Sequence, residues 1–133
     1  MADKNLLLFK ACCANDVEGV KKALQKSIFS RGADVDCVVY AGNPDRNYPL
    51  HIAAKNGNVQ VVNLLIEVGA RVNVYNNKME NPLQMAAKNG NVKVGQILIS
   101  HGADVNEHRD TTSEPMFIAL ENENIDFAGL LLQ

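Results

Sequence analysis

Residues 53–59 read AAKNGNV, and residues 86–92 read AAKNGNV again. An exact seven-residue match that includes polar positions unsuited to a core marks a repeated unit. Its length comes from other pairs. Pro49-Leu50, Pro82-Leu83 and Pro115-Met116 step by 33 residues, as do Gly69-Ala70 and Gly102-Ala103. A period near 33 signals stacked helical repeats, each too small to bury its apolar face alone.

One unit, Pro49 to Asn73, can be read physically. Proline has a fixed φ and no N–H, which suits the first turn of a helix, and Leu50, Ile52, Ala53 and Ala54 continue a short apolar face. Gly57 supplies the left-handed conformation that ends this inner helix, and Asn58 is placed to cap the next one. The second helix carries Val59, Val61, Val62, Leu64, Leu65 and Ile66, a stripe wide enough to pack on its own partner and on neighbouring repeats. Gly69 stops it, and the chain then crosses to Pro82 as an extended finger.

The same scheme places N-caps at Asp16, Asn58, Asn91 and Asn124, each followed by Val or Ile and each worth roughly 1 kcal/mol against Ala. The expected division is one domain over residues 1–133, with repeats at about 5–42, 43–75, 76–108 and 109–133. The first unit lacks the Pro and carries about five extra residues before Gly32, and its finger, Cys37 to Tyr48, is about four residues longer than Val74 to Asn81. In the last unit Glu123 stands where Gly57 and Gly90 stood, and Gly129 lies inside a helix at a cost of roughly 1 kcal/mol.

Bulk properties narrow the function. Hydrophobic residues make up 47% of the chain but aromatic ones only 5%, with no Trp, so the core is built from Ala, Val, Leu and Ile and suits close helix packing better than a deep ligand pocket. A formal charge of −2 gives no basic excess for phosphate contacts, and no nucleic-acid partner is expected. The apolar run LLLF at residues 6–9 is too short to span a membrane, and no membrane association is expected. Three cysteines, Cys12, Cys13 and Cys37, form no CxxC pair, which points to free thiols in a reducing compartment. The cytoplasm or nucleus follows, or the cytosol of a host if the chain is a secreted effector.

Pro49-Leu50-His51-Ile52-Ala53-Ala54, then Gly57, Val61-Val62, Leu64-Leu65 and Gly69-Ala70-Arg71-Val72-Asn73 resemble the ankyrin repeat, with its TPLHxAA opening and GADVN close. Gly32-Ala33-Asp34-Val35-Asp36 and Gly102-Ala103-Asp104-Val105-Asn106 are similar to the same closing segment. The resemblance covers nearly the whole chain. It implies an all-α solenoid of stacked helix-turn-helix units joined by β-hairpin-like fingers, and a protein-binding role.

The departures carry information. The family's Thr before Pro is Tyr48, Asn81 and Glu114, and its His survives only as His51, becoming Gln84 and Phe117. A Thr–His hydrogen-bond ladder along the stack is therefore not expected. The glycine of the finger turn is replaced by Arg46, Met79 and Thr112. The resemblance also implies hydroxylation sites at Asn73 and Asn106, each with Leu eight residues before it (Leu65, Leu98), although turn stabilisation is the simpler role for these side chains.

No catalytic constellation emerges. Cys12 and Cys13 fall on inner-helix positions matching Ala54 and Lys55, His51 is a structural position of the family, and no Cys or His stands at metal-ligand spacing beside His101 or His108. The glycines terminate helices and never cluster as a phosphate cradle, so neither cofactor nor metal is expected. What remains is surface. Finger tips and inner-helix ends line up along one concave side of such a stack. The candidate partner-binding residues are Asp45, Arg46, Tyr48, Lys55, Asn56, Tyr75, Lys78, Met79, Glu80, Lys88, Asn89, His108 and Asp110. Arg, Met and aromatic side chains lead this set because interfaces favour them.

The expected function is a monomeric, non-enzymatic adaptor, scaffold or inhibitor that holds a partner protein on this strip. The alternative is the targeting domain of a longer enzyme or secreted effector.

Overall fold

The computed structural model describes residues 3–25, 32–106 and 114–132. Among these residues there are eight short helices and no strand. They run as α1 (Lys4–Cys13), α2 (Val17–Leu24), α3 (Pro49–Asn56), α4 (Val59–Glu67), α5 (Pro82–Asn89), α6 (Val92–Ser100), α7 (Pro115–Glu121) and α8 (Ile125–Leu131). Consecutive helices pair as hairpins; α1, α3, α5 and α7 pack in an inner row, and α2, α4, α6 and α8 in an outer one.

Local chemistry explains the boundaries. Pro49, Pro82 and Pro115 each open an inner helix at its first turn. The loop between inner and outer helix always contains one left-handed residue: Asn15, Gly57, Gly90 and Glu123, with φ of 55°, 71°, 70° and 61°. Asparagine tolerates this conformation, whereas Glu123 holds it at a cost on the order of 1 kcal/mol.

The inner row is close-packed because its contact positions are small. Ala53, Ala54, Ala86 and Ala87 are fully buried, between Leu50 and Leu83 on the inner row and Val62, Leu65 and Leu98 on the outer. Each such Leu removed from water contributes roughly 1.5–3 kcal/mol. In the last unit the core residue is Phe127, and it is received by Gly95: a Cβ at Gly95 would lie 2.7 Å from Phe127 Cε2. Glycine inside α6 thus answers an aromatic side chain in the next repeat.

The capping expectation holds at two outer helices and is corrected at two. The Asp16 and Asn58 side chains accept from the Gly19 and Val61 amides. Asn91 and Asn124 occupy the N-cap positions but do not cap. Their Nδ2 groups donate backwards instead, Asn91 to the carbonyls of Ala54 (2.8 Å) and Lys55 (3.2 Å), and Asn124 to those of Ala87 (2.8 Å) and Lys88 (3.0 Å). The end of an inner helix leaves carbonyls without intrahelical partners, and the next repeat brings an amide donor within reach. The close approach adds a second reason for glycine at 57 and 90, where a Cβ would lie 2.8 Å from the Asn91 or Asn124 Oδ1.

Among the described residues, the fingers are hairpin-like only at the tip. In the second finger the Asn76 amide donates to the Glu80 carbonyl (3.0 Å) and the Met79 amide to the Asn76 carbonyl (3.0 Å). Side-chain amides replace the ladder that strands would need. Buried Asn43 donates to the Val39 and Asn47 carbonyls and accepts from the Asn47 amide, and buried Asn76 accepts from the Lys78 and Glu80 amides.

Candidate protein-binding surface

The finger tips are built from strained backbone held by a stitched base. Arg46 and Met79, 33 residues apart, both take left-handed φ angles, 55° and 62°, without being glycine. Such a conformation costs about 1–2 kcal/mol for a side chain larger than glycine. Both side chains face outward: Met79 is 49% exposed, and the Arg46 guanidinium lies 4.7 Å from the centroid of the exposed Tyr40 ring.

The two tips are tied to each other. Asn76 Nδ2 donates to Asn47 Oδ1 (2.8 Å), the Asn77 amide donates to the Asp45 carbonyl (2.8 Å), and Lys78 Nζ pairs with the Asp45 carboxylate at 3.6 Å. The ion pair is solvent-exposed and worth under about 1 kcal/mol. The amide bonds fix the geometry, so the two tips are held in one register.

Behind the tips the inner helices end in Lys55-Asn56 and Lys88-Asn89, all four exposed. Asn56 donates to the Cys12 carbonyl of the preceding repeat (3.2 Å), and Asn89 to Met85 within its own helix (3.0 Å). Between first finger and inner row lies a groove of about 320 Å³, whose walls bring together Phe9, Cys13, Asp45, Asn47, Lys55 and Asn56. Three of the residues singled out from the sequence, Asp45, Lys55 and Asn56, therefore share one concavity.

Other candidates are committed to the scaffold. Tyr48 caps α3 with its amide donating to His51 Nδ1 (3.0 Å), and its half-buried ring sits tilted against that imidazole at 5.7 Å. Glu80 is drawn inward: its carbonyl is 2.8 Å from His51 Nε2, and its carboxylate accepts from Asn76 at 3.0 Å. Tyr75 is 37% exposed at the base of the second finger. His108 and Asp110 lie outside the described residues. Asn73 uses both ends of its amide across repeats, donating to the Gly102 carbonyl (3.0 Å) and accepting from the Asp104 amide (2.9 Å), which ties its closing segment to that of the next repeat. The Asn106 amide donates to Asp104 Oδ1 (2.9 Å), and its side chain is exposed.

The ladder expectation needs a qualification. One His link is present, from His51 to the Glu80 carbonyl of the next finger. At the following repeat the opening is a reciprocal pair instead: the Asn81 amide donates to Gln84 Oε1 (2.7 Å) and the Gln84 amide to Asn81 Oδ1 (2.8 Å).

The thiols are poor nucleophiles here. Burial pushes Cys12 up to about 12 and Cys37 up to about 11, and raises Cys13 as well, with nearby Lys55 only partly opposing it. A reactive cysteine needs the opposite shift. Among the described residues no cluster of His, Cys, Asp or Glu could hold a metal, and no helix is long and apolar enough to cross a membrane.

Sequence reasoning passed over Asn43 and Asn76, and it gave Asn91 and Asn124 a capping role in place of the backward bonds by which they organise the stack. Their 33-residue spacing, 43 to 76 and 91 to 124, was the available signal. A family model described as ankyrin repeats, in three copies, matches residues 2–76 and 50–133. Compared with curated proteins, the chain matches none.

Proposed function

Since the chain belongs to the ankyrin-repeat family, whose members are generally protein-interaction modules and typically non-catalytic, we propose that it is a non-enzymatic adaptor, scaffold or inhibitor gripping one partner protein on its concave side. The observation that carries this is the pair of finger tips. Arg46 and Met79 hold a backbone conformation that glycine would adopt without strain. Strained residues persist where their side chains are needed, and Arg and Met are side chains that interfaces favour.

The grip has two parts. The tips present Met79 and the Arg46–Tyr40 stack as apolar and cationic anchors, while Lys55 and Lys88 supply positive charge along the floor. Because Asn43, Asn47 and Asn76 already order the fingers, little loop entropy remains to be lost on binding. Asp45 and Asn56 line the groove beside the first finger, and Lys78 pairs with Asp45. Hydroxylation of Asn73 would act on its bonds to the Gly102 carbonyl and Asp104 amide, and so on stack stability rather than on the grip.

The test is capture of a partner from cell extract by the wild-type chain and by an Arg46→Gly/Met79→Gly variant, which keeps the backbone these tips require. A protein held by the wild type and lost by the variant supports the reading. Equal capture by both places the binding face elsewhere.

A further inference from the structure

The two ends of the stack are complementary to each other. In the inner repeats, Ile52 and Met85 are only 7% and 6% exposed, and Ile52 shares a groove with Phe9 and Cys13 of the preceding unit. The same register position in the first repeat is Lys10, and the position of Leu64 and Ile97 is Lys22. These two lysines, with Lys4, border a shallow groove of about 390 Å³ whose other walls are Leu7 and the small residues Ala11, Ala14, Gly19 and Ala23. The acid that lines it, Asp16, has its carboxylate turned to the Gly19 amide of its own helix.

At the other end the pattern inverts. Phe117 occupies the register of buried His51 and Gln84, and Leu120 that of buried Ala54 and Ala87, yet they are 39% and 52% exposed; Ile125 beside them is 66% exposed. Glu121 and Asp126 take the places of Lys88 and Lys93. Residues 114–132 contain four carboxylates, Glu114, Glu121, Glu123 and Asp126, and no Lys or Arg. Large apolar side chains amid negative charge thus lie on the last described repeat, and a groove of mostly small residues amid positive charge lies on the first.

We propose that the last repeat of one copy docks on the first repeat of a second copy, head to tail, in place of the monomer expected from the sequence. Phe117 and Leu120 enter the small-residue groove, and Glu121 and Asp126 meet Lys10 and Lys22 of the next copy. In this arrangement α1 of the second copy lies beside α7 as α3 lies beside α1 within one chain. The contact is heterologous, so it leaves a free face at each end and does not close. Opposite charges set its direction, because like ends repel. The concave strip then runs on from one copy into the next.

Sedimentation equilibrium on the full chain, from low micromolar to millimolar concentration, tests this. The wild type is expected to grow past the dimer as concentration rises and to fall back in 1 M salt, where the screening length is about 3 Å. Two variants sharpen the test: Leu120→Lys, with Ile125→Lys as its substitute if the first loses helical content, blocks the last face; Lys10→Glu with Ala14→Glu blocks the first. Each variant alone should be monomeric, and an equimolar mixture of the two should give a dimer and nothing larger, since each supplies the face the other lacks. A wild type that stays monomeric throughout overturns the proposal. So does a mixture that stays monomeric, and so does either variant associating by itself, which would mean a like-to-like contact through its intact face.

Discussion

His51 Nε2 lies 2.8 Å from the carbonyl oxygen of Glu80, while its Nδ1 accepts the Tyr48 amide at 3.0 Å. An amide can only donate and a carbonyl only accept, so the two bonds together require a neutral ring with its proton on Nε2. One side chain thereby caps its own helix and fastens the next finger.

Protonation of this ring should loosen the stack. Burial lowers the His51 pKa, outweighing the opposing effects of the Glu80 carbonyl, the Glu80 carboxylate and the Val74 backbone. The folded pKa is below the unfolded value of about 6.5, so the unfolded chain binds more protons. The stabilising contribution is complete above about pH 6.5 and is lost as pH falls through the folded pKa. His51→Gln, which installs the residue that Gln84 already uses in the same role, should flatten that part of the profile. Urea unfolding of both proteins between neutral and mildly acidic pH measures it; parallel profiles would show that His51 is not the titrating group.

Asn91 should respond to substitution as a donor. Aspartate is as good as asparagine at an ordinary N-cap, but at Asn91 a carboxylate would face the Ala54 and Lys55 carbonyls. Asn91→Asp is expected to destabilise by about 1–3 kcal/mol. Asn58→Asp, at a position that does cap its helix, should stay within about 0.5 kcal/mol. Equal effects in denaturant titrations would return Asn91 to a plain capping role.

Gly95 and Phe127 should be coupled. Alanine at Gly95 gains up to about 1 kcal/mol in helix propensity, yet its Cβ would press on Phe127 at 2.7 Å and on Leu130 at 2.9 Å. Overpacking of this kind typically costs about 1–3 kcal/mol. Gly95→Ala should therefore lower stability in the wild type and raise it in a Phe127→Leu background. The same sign in both backgrounds, read from thermal unfolding in a double-mutant cycle, would exclude the steric account.

Met79 offers a separation of stability from binding. Met79→Gly relieves a left-handed φ of 62°, worth roughly 1–2 kcal/mol, against about 0.5–1 kcal/mol of added chain entropy in the unfolded state. Its unfolding midpoint should match or exceed that of the wild type while partner affinity falls more than about tenfold. A variant that loses stability and binding in proportion would make Met79 structural.

The thiols should divide into one accessible and two protected groups. Cys12 and Cys37 are buried with raised pKa values, and Cys13 is exposed. With iodoacetamide at neutral pH, mass spectrometry should find Cys13 modified first and Cys12 and Cys37 only on unfolding. Early loss of Cys12 or Cys37 would contradict the packing of the first repeat.

Sequence alone determined the period, the paired helices and the turn positions, because each rests on contacts within a few residues. Proline at the first turn of the last three inner helices, a left-handed residue after each inner helix and an Asn or Asp before each outer one are local rules that a single repeat can display. The same locality limited what could be read. Asn58 and Asn91 stand in identical local sequence, GNV, yet Asn58 bonds three residues ahead whereas Asn91 reaches back 37 residues. Only the stacked neighbour, with its open helix end, decides between a nearby amide and a distant carbonyl. Glu80 likewise has the composition of a surface residue, and it is the arrival of His51 and Asn76 that draws it in. The fold is written in short-range chemistry, while the shape of the candidate surface is set by polar groups finding partners one repeat away.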